Sequence, residues 1–454
     1  MKRKNYFKKI IKAEDKIFRI ADDQVMTAPL LAEYIRQHEL LVQSHYKYLD
    51  DAYQTDYAIF HQAKKKAYKP DNRLATNFAK YIVDTMNGFF CGIPIKVTSN
   101  DEEINKFIQR YDRYNSMDDQ NAEIAKTCDI FGSAYEMYYV DEMGEVASTV
   151  ISPMNAFIIY NESIIPQPRY FVRLYTDNHN VKRGSISDGE TVRYFKQDGG
   201  VKFDEYEKMH GFDGVPATEF LENAERTGLF EPVLSLINAY NKAISEKAND
   251  VDYFADAYLK ILGAKLKEED LQTIRDDRII NFDGIEDGKL IVEFMDKPNG
   301  DTTQENLIER LRTDIFQIAM VANISDENFG ASSGIALKYK LLAMSNLAKM
   351  KQNKFIGAMN RRYRLICSNP VTSAKADDWL FIDYTFTQNI PANQLEEAQI
   401  ASQLSGVTSK ETQLKALSIV DDVKAEIKKI DAEADKTSYR TDYPTERTGG
   451  GLNE

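Results

Sequence analysis

The sequence has little of the chemistry by which enzymes are usually recognised. Only five histidines and three cysteines occur among 454 residues. Cys91, Cys128 and Cys367 are far apart and odd in number, so neither a disulfide framework nor a metal knuckle is predicted. Gly334 is not followed by Lys-Ser/Thr, which excludes a Walker-type phosphate loop, and no serine lies in a nucleophile elbow. We therefore predict a protein that is not an enzyme and that holds no cofactor or metal.

The chain also has fewer cationic than acidic side chains, and no long apolar run. The chain has 58 Lys and Arg against 71 Asp and Glu, a formal net charge of −13. Since DNA affinity comes mainly from cations on phosphates, such a chain is a poor general binder of nucleic acid. If it meets DNA, it should let the DNA slide rather than bind it tightly. No apolar run approaches the roughly 20 residues that span a bilayer, so no membrane partner is expected. The few unpaired cysteines predict a reducing compartment.

The N-terminal run MKRKNYFKKIIKAEDKIFRI is basic and lacks a continuous apolar core, unlike a signal peptide. We interpret it as a solvated arm, with an amphipathic helix that binds an acidic partner as the alternative. Aromatic side chains are abundant instead: 26 Tyr and 23 Phe accompany a single Trp. Rings with polar tips suit large, partly wet interfaces, which favours an oligomer.

Hydrophobic periodicity predicts helices first, then an antiparallel β region, then helices that bracket a small mixed segment. Helices are predicted at about 29–48, 71–90, 102–114, 118–131, 232–254, 302–323, 335–367 and 393–429, with a short one near 267–275. Thr27 and Pro29 open the first of these helices, Gly132 closes the helix over 118–131, and Thr302 or Thr303 caps the helix over 302–323. The apolar faces of three helices are Phe78, Ile82, Met86 and Phe89 in 71–90, Val233, Leu236, Ile237, Tyr240, Ile244 and Ala248 in 232–254, and Leu307, Leu311, Ile315, Ile318 and Val321 in 302–323. Strands are predicted at 95–97, 134–140, 145–151, 156–160, 170–176, 191–195, 201–206, 257–264, 278–282, 289–294 and 379–388, with 183–189 as a loop. This order predicts an α+β fold in an elongated protomer.

Three polar groupings are candidate sites. Arg361, Arg362 and Arg364 form the best basic cluster; they either complement a helix end or form a patch for a neighbouring subunit or the DNA backbone. His38 and His45 fit a hydrogen-bonded pair better than a metal site. The acidic turns between 276 and 287 fit solvated loops, with a divalent-cation site as the alternative.

The stretch NISDENFGASSGIALKYK, from Asn323 to Lys340, is a polar loop between two long helical patterns. It has no nucleophile with a paired base. Its glycines, Gly330 and Gly334, and its place between two long helices suggest a part that moves or lines a passage.

Five segments, in order along the chain, resemble the portal proteins of siphophages that infect Gram-positive hosts. They are NRLATNFAKYIVDTMNGFFCGIPIKV (Asn72–Val97), DIFGSAYEMYYVDEMGEV (Asp129–Val146), SPMNAFIIY (Ser152–Tyr160), FEPVLSLINAYNKAISEKANDVDYFADAYLKI (Phe230–Ile261) and FGASSGIALKYKLLAM (Phe329–Met344). The resemblance implies a closed ring of about twelve subunits at one capsid vertex of the virion, assembled in the host cytoplasm. Its partners would be double-stranded DNA, the terminase large subunit, major capsid and scaffolding proteins, and a head-completion adaptor. The alternatives are a DNA-processing enzyme of the packaging machinery and another connector or minor head protein.

The resemblance also implies a division of the chain. Residues 1–229 and 335–392 would form the wing, 230–254 and 300–323 the stem helices, 255–299 a small α/β clip and 393–433 a helical crown. The composition of residues 434–454, with Thr-Gly-Gly-Gly near the end, predicts a disordered tail. The tunnel loop facing DNA would be Ile324, Ser325, Asp326, Glu327, Asn328, Phe329, Gly330, Ala331, Ser332, Ser333 and Gly334. Because it has no Lys or Arg, its anionic, hydroxyl-rich rim should repel phosphate. Phe329 either presses on DNA or packs back on a helix.

Overall fold

The computed structural model describes residues 12–66, 69–255, 259–262, 279–282, 291–294, 301–324, 334–390, 394–417, 419–420 and 423–438. The chain divides into two units, Met1–Asn323 with Leu341–Asn389, and Ile324–Lys340 with Ile390–Glu454. Helices and sheets both contribute, so the predicted α+β class is confirmed.

The helices, in chain order, are α1 (Ala28–Leu41), α2 (Lys47–Tyr53), α3 (Phe78–Cys91), α4 (Glu102–Asn115), α5 (Met117–Phe131), α6 (Leu234–Ala255), α7 (Asp301–Ala319), α8 (Gly334–Lys340), α9 (Leu342–Ser368), α10 (Gln394–Gln403), α11 (Lys410–Lys415) and α12 (Val423–Ser438). The strands are β1 (Phe18–Ile20), β2 (Lys96–Ser99), β3 (Ser133–Val140), β4 (Val146–Ile151), β5 (Ala156–Asn161), β6 (Pro168–Thr176), β7 (Lys182–Ser187), β8 (Thr191–Gln197), β9 (Val201–Met209), β10 (Ala217–Leu221), β11 (Leu259–Leu262), β12 (Ile279–Phe282), β13 (Ile291–Phe294) and β14 (Ile382–Thr385).

Local sequence explains where several helices begin and end. The Thr27 hydroxyl accepts from the Leu30 amide, and Pro29 lies in the first turn of α1, where its missing N–H costs nothing. The Asp101 carboxylate caps α4 by accepting from Glu103 N at 2.8 Å. Helix α5 ends at Gly132, whose φ of 84° favours glycine, as predicted.

The strands of the described residues pair in four sheets. The largest has the order β1-β5-β6-β7-β8-β9, in which β1 pairs parallel with β5 and the rest pair antiparallel; the others are β10-β3-β4, β12-β11-β13 and β14-β2. Tyr135 and Ala217 of the second sheet pack against Ile158 and Phe171 of the first in one buried cluster. The two larger sheets therefore share a core.

Several boundaries differ from the sequence-based predictions in the β region. Residues 183–189 are not a loop, since β7 occupies Lys182–Ser187, and β10 had no predicted counterpart. The strand predicted over 379–388 is reduced to β14 because Asp378–Phe381 forms a short 3₁₀ helix. Helix α3 begins at Phe78 rather than near 71, because the Asn77 side chain caps it by accepting from the Lys80 amide.

The later helices also differ. Helix α7 begins at Asp301, so neither Thr302 nor Thr303 lies before it as the predicted cap, and it ends at Ala319, where Met320 adopts a φ of 57°. The pattern over 335–367 divides at Leu341 into α8 and α9. Helix α12 continues to Ser438, past the point where a disordered tail was expected. The helix predicted near 267–275 lies outside the described residues.

Candidate functional site

Two long helices, α6 and α7, pack against each other where the stem was predicted. Lys247 of α6 forms an ion pair with Glu305 of α7, and the Gln304 amide donates to the Asp250 carboxylate at 2.8 Å. These contacts lie toward the end of α6 and the beginning of α7. The two helices therefore run antiparallel, and these contacts lie at the end of the pair where the chain enters and leaves the small insert.

An aromatic cluster joins the other end of this pair to α3. Phe316 of α7 makes edge-to-face contacts with Phe78 and Tyr81, at centroid distances of 5.6 and 5.5 Å. Phe78 also meets Tyr240 of α6 edge to face at 4.9 Å. Pairs of this geometry stabilise by about 0.5–1.5 kcal/mol beyond their buried area, so α3, α6 and α7 form one packed group.

The apolar stripe predicted for α7 is only partly buried. Ile315 and Val321 are buried, whereas Leu307 and Ile318 are 53% and 52% exposed. Leu307 and Ile318 are eleven positions apart, which is close to three helical turns, so they lie on one face. Helix α7 therefore exposes two apolar side chains, three turns apart, on a face outside the packed group.

Three buried polar side chains on α6, which we call the ladder, form hydrogen bonds with the backbone of the segment that precedes α3. Asn241, Ser245 and Asn249 are 0%, 1% and 5% exposed. They accept from the amides of Thr76, Leu74 and Asn72 at 2.8, 2.9 and 2.7 Å. The Ser245 hydroxyl also lies 3.1 Å from Leu74 O.

Sequence reasoning missed this ladder. The predicted buried stripe of α6 included Tyr240, Ile244 and Ala248, each one position before a ladder residue, and all three are half-buried. Polar residues repeating every four positions were visible in the sequence. Such a repeat usually marks a solvent face, and here it satisfies the backbone of an extended segment instead.

Helix α9 carries a buried lysine at the centre of an ion cluster. Lys351 Nζ lies 2.6 Å from the Asp129 carboxylate and 2.9 Å from Glu222, and it donates to Ala125 O at 3.1 Å. All three charged side chains are at most 1% exposed. Burial raises the pKa of Asp129 well above its ordinary value, Lys351 opposes this, and Glu222 adds to it. Burial alone would lower the pKa of Lys351, but the two carboxyl groups outweigh it and keep the lysine charged.

A second buried cation lies eleven residues along the same helix. Arg362 Nε donates to the Glu136 carboxylate at 2.7 Å and Nη1 to Asn121 Oδ1 at 2.9 Å. The guanidinium also lies over the Phe220 ring, 5.0 Å from its centroid. Eleven residues are about three turns or 16 Å, so Lys351 and Arg362 project from one face. Together they fix both the rotation and the position of α9.

This placement corrects the predicted basic patch. Arg362 is 0% exposed and paired within its own chain, so it is unavailable to DNA or to another subunit. Arg361 is half-buried and donates to the carbonyls of Ala217 and Val215 at 3.2 and 3.1 Å. Arg364 is exposed.

Other predicted sites fall into three groups. His38 Nε2 lies 2.8 Å from Pro153 O and His45 lies 3.6 Å from the Glu231 carboxylate, so each histidine is buried with a partner of its own. Of the predicted tunnel loop, Ile324 is exposed and Gly334 begins α8, while residues 325–333 lie outside the described residues. The acidic positions 276, 277, 283 and 287 also lie outside them.

Within the residues that the structure describes, no group of three or more His, Cys, Asp or Glu side chains is placed to hold a metal ion. None of the helices found there is long and apolar enough to cross a membrane.

Known proteins resemble this chain over most of its length. The family described as phage portal protein, SPP1 Gp6-like, matches residues 32–439. A portal protein of Clostridium phage phiCD119 is 22% identical over 91% of this chain and 97% of its own length. The portal protein of Bacillus phage SPP1 is 20% identical over 80% of this chain and 76% of its own.

A solved structure also matches, more weakly. It is described as the neck of an empty GTA particle computed with C6 symmetry. It shares 10% identity, covers 74% of this chain and 89% of that chain, and superposes with a TM-score of 0.42. A score of that size does not define a shared fold.

Proposed function

The chain belongs to the SPP1 Gp6-like phage portal protein family, whose match extends over residues 32–439, and from this premise we propose that it is the subunit of a closed ring at a unique capsid vertex. The ring has about twelve subunits and is the conduit for double-stranded DNA during packaging and ejection. It also nucleates capsid assembly together with the major capsid and scaffolding proteins. The chain itself is not an enzyme, and a separate motor uses ATP.

The observation that best supports a ring is the surface of the helix pair. Leu307 and Ile318 are exposed on one face of α7, although α7 is packed against α6 and α3 on its other side. Exposed apolar side chains of this kind suit a second copy in a head-to-tail contact, which is the kind that closes a ring. In this reading α6 and α7 form the stem.

The other divisions of the protomer follow the same proposal. The sheet β12-β11-β13 lies within 255–299, the proposed clip, which docks the terminase large subunit and later the head-completion adaptor. The wing comprises 1–229 and 335–392, and 393–433 is the crown. Arg364 remains a candidate for the contact with a neighbouring subunit or with DNA.

The tunnel loop, 324–334, faces the DNA in this proposal. Its sequence has Asp326 and Glu327 and no Lys or Arg. Like charges repel phosphate and discourage trapping, so DNA moves in either direction. Replacing Asp326 and Glu327 by Lys should leave the ring assembled and impair packaging and ejection. Normal DNA movement in that variant would refute the repulsive rim.

The native mass of the purified protein, with class averages of single particles, tests the proposal directly. A closed ring with a central hole near twelve times 52.0 kDa, roughly 624 kDa, is expected. The ring should show no ATPase activity. A compact monomer that cleaves DNA in the presence of magnesium would overturn the proposal in favour of a DNA-processing enzyme.

A further inference from the structure

An open groove of about 560 Å³ lies beside strand β1, between the short turn Ala13–Lys16 and helix α1. Its apolar lining includes Ile17, Leu30 and Leu40, and Leu40 is 54% exposed. We call this surface, lined by residues 14–19 and 30–40, the β1 groove. Exposed apolar side chains in a concave site are typical of a place where a partner binds.

The rim of the β1 groove has three carboxylates, those of Glu14, Asp15 and Glu33, against one guanidinium, that of the exposed Arg19. Glu14 and Asp15 line it from the short turn, and both are exposed. Glu33 lines it from α1, where hydrogen bonds from Arg36 and Gln37 hold the pKa of its carboxyl at about 2, so that it stays ionised. Two more exposed acids, at positions 22 and 23, lie in the connection between β1 and α1. The groove therefore favours a cationic partner.

A preformed apolar protrusion lies next to the groove. The register of β1 on β5 pairs Ile20 with Asn161, so the loop after Asn161 begins at the end of β1. Asn161 Oδ1 accepts from the Gln167 amide at 2.8 Å, which closes that loop. Within it, Ile164 and Ile165 are 102% and 72% exposed. Because the loop is already ordered, little entropy is lost when a partner covers these side chains.

One segment of this chain has the complementary chemistry. Residues 2–12 contain six cations and no acid, with apolar or aromatic side chains between them. The cations are Lys2, Arg3, Lys4, Lys8, Lys9 and Lys12, and the apolar and aromatic residues are Tyr6, Phe7, Ile10 and Ile11. In a chain whose net charge is −13, such a run of cations is exceptional.

We propose that residues 2–12 of one copy dock in the β1 groove of a neighbouring copy. The apolar residues contact Ile17, Leu40 and the protrusion, and the lysines face the acidic rim. Since the segment and the groove are different parts of one chain, the contact is head to tail and repeats around a closed ring. It is added to the ring proposed above, which could close without it, so its failure would leave the proposed function standing.

Crosslinking between two kinds of copy tests this contact. One population carries Ile10→Cys and a mass tag, the other carries Ile17→Cys, and they are mixed before assembly and treated with a short bismaleimide. A crosslinked dimer of mixed mass is expected, and it should be absent when either added cysteine is omitted. A crosslink that forms only when one chain carries both substitutions would show docking within a chain and overturn the proposal.

Charge reversal provides the second arm. Glu14→Lys with Asp15→Lys in the groove population should lower the mixed crosslink roughly tenfold in low salt, because attraction becomes repulsion. Adding Lys8→Glu and Lys9→Glu to the other population should restore it. The matched control, Asp204→Lys with Glu205→Lys on the exposed strand β9, makes the same change in net charge and should leave the yield unchanged. A yield that follows net charge alone would refute the contact.

Discussion

Removing the buried lysine of α9 should destabilise the protein strongly. Lys351→Met keeps most of the side-chain volume and leaves the carboxyl groups of Asp129 and Glu222 buried without their cation. Breaking a buried ion pair from one side costs about 3–5 kcal/mol, since the remaining charge has no compensation. We expect a loss of that size in the free energy of unfolding at pH 8.

The loss in the free energy of unfolding should be larger at high pH than at low pH, because the carboxyl groups are buried. The pKa of Asp129 is already raised by burial, and without Lys351 it should rise further. A carboxyl group whose pKa is higher in the folded state binds more protons there than in the unfolded chain. Its stabilising contribution is complete below the unfolded pKa of 3.8 and is lost as pH rises through the folded value. The variant should therefore be closer to the wild type at pH 5 than at pH 8.

Urea unfolding followed by circular dichroism, at one protein concentration and at both pH values, measures this effect. The matched control is Lys354→Met on the same helix, which is exposed and should change the free energy by no more than about 0.5 kcal/mol. Lys351→Met combined with Asp129→Asn should recover part of the loss at pH 8. A variant as stable as the wild type, or equally destabilised at both pH values, would refute the reasoning.

Three further predictions concern single side chains. Arg362→Met should lower the free energy of unfolding by about 3–5 kcal/mol, because Glu136 stays buried without its cation, whereas Arg364→Met, at an exposed position, should lower it by less than about 0.5 kcal/mol. Urea unfolding measures both, and equal effects would contradict the burial of Arg362. Ser245→Ala should lower the free energy of unfolding by about 1–3 kcal/mol and speed hydrogen exchange at the Leu74 amide, because that amide loses its acceptor. Unchanged exchange at Leu74 would argue against the ladder. Ile315→Pro should break α7 at a cost of about 3 kcal/mol or more and lower the yield of rings; a stable, assembled variant would show that the helix is wrongly assigned.

Sequence patterns predicted those parts of the fold that depend on local chemistry. The cap at Thr27 and the glycine at Gly132 are decided within one turn of chain, and the structure has both. Helix α3 has the predicted buried stripe, which includes Phe78 and Met86. Its first turn was misplaced because α6, distant in sequence, binds residues 72–76 and leaves Asn77 as the cap.

The buried charges could not be predicted from the sequence. Lys351 lies among other lysines in KMKQNK, and nothing local distinguishes it. Its burial depends on Asp129 and Glu222, more than a hundred residues away along the chain. Arg362 was misread for the same reason: three arginines within four positions suggest a surface patch, whereas the partner of the middle one is in strand β3.

The ladder on α6 also has a mechanical consequence. The hydrogen bonds to Asn241, Ser245 and Asn249 follow one another along the helix. They hold the amides of Thr76, Leu74 and Asn72, which are every second residue of the extended segment. A force along the helix axis loads all three at once, as in shear, whereas a force across the axis would open them one at a time. A load along α6 therefore passes directly into α3, which begins at Phe78. The joint is strongest along the axis of α6.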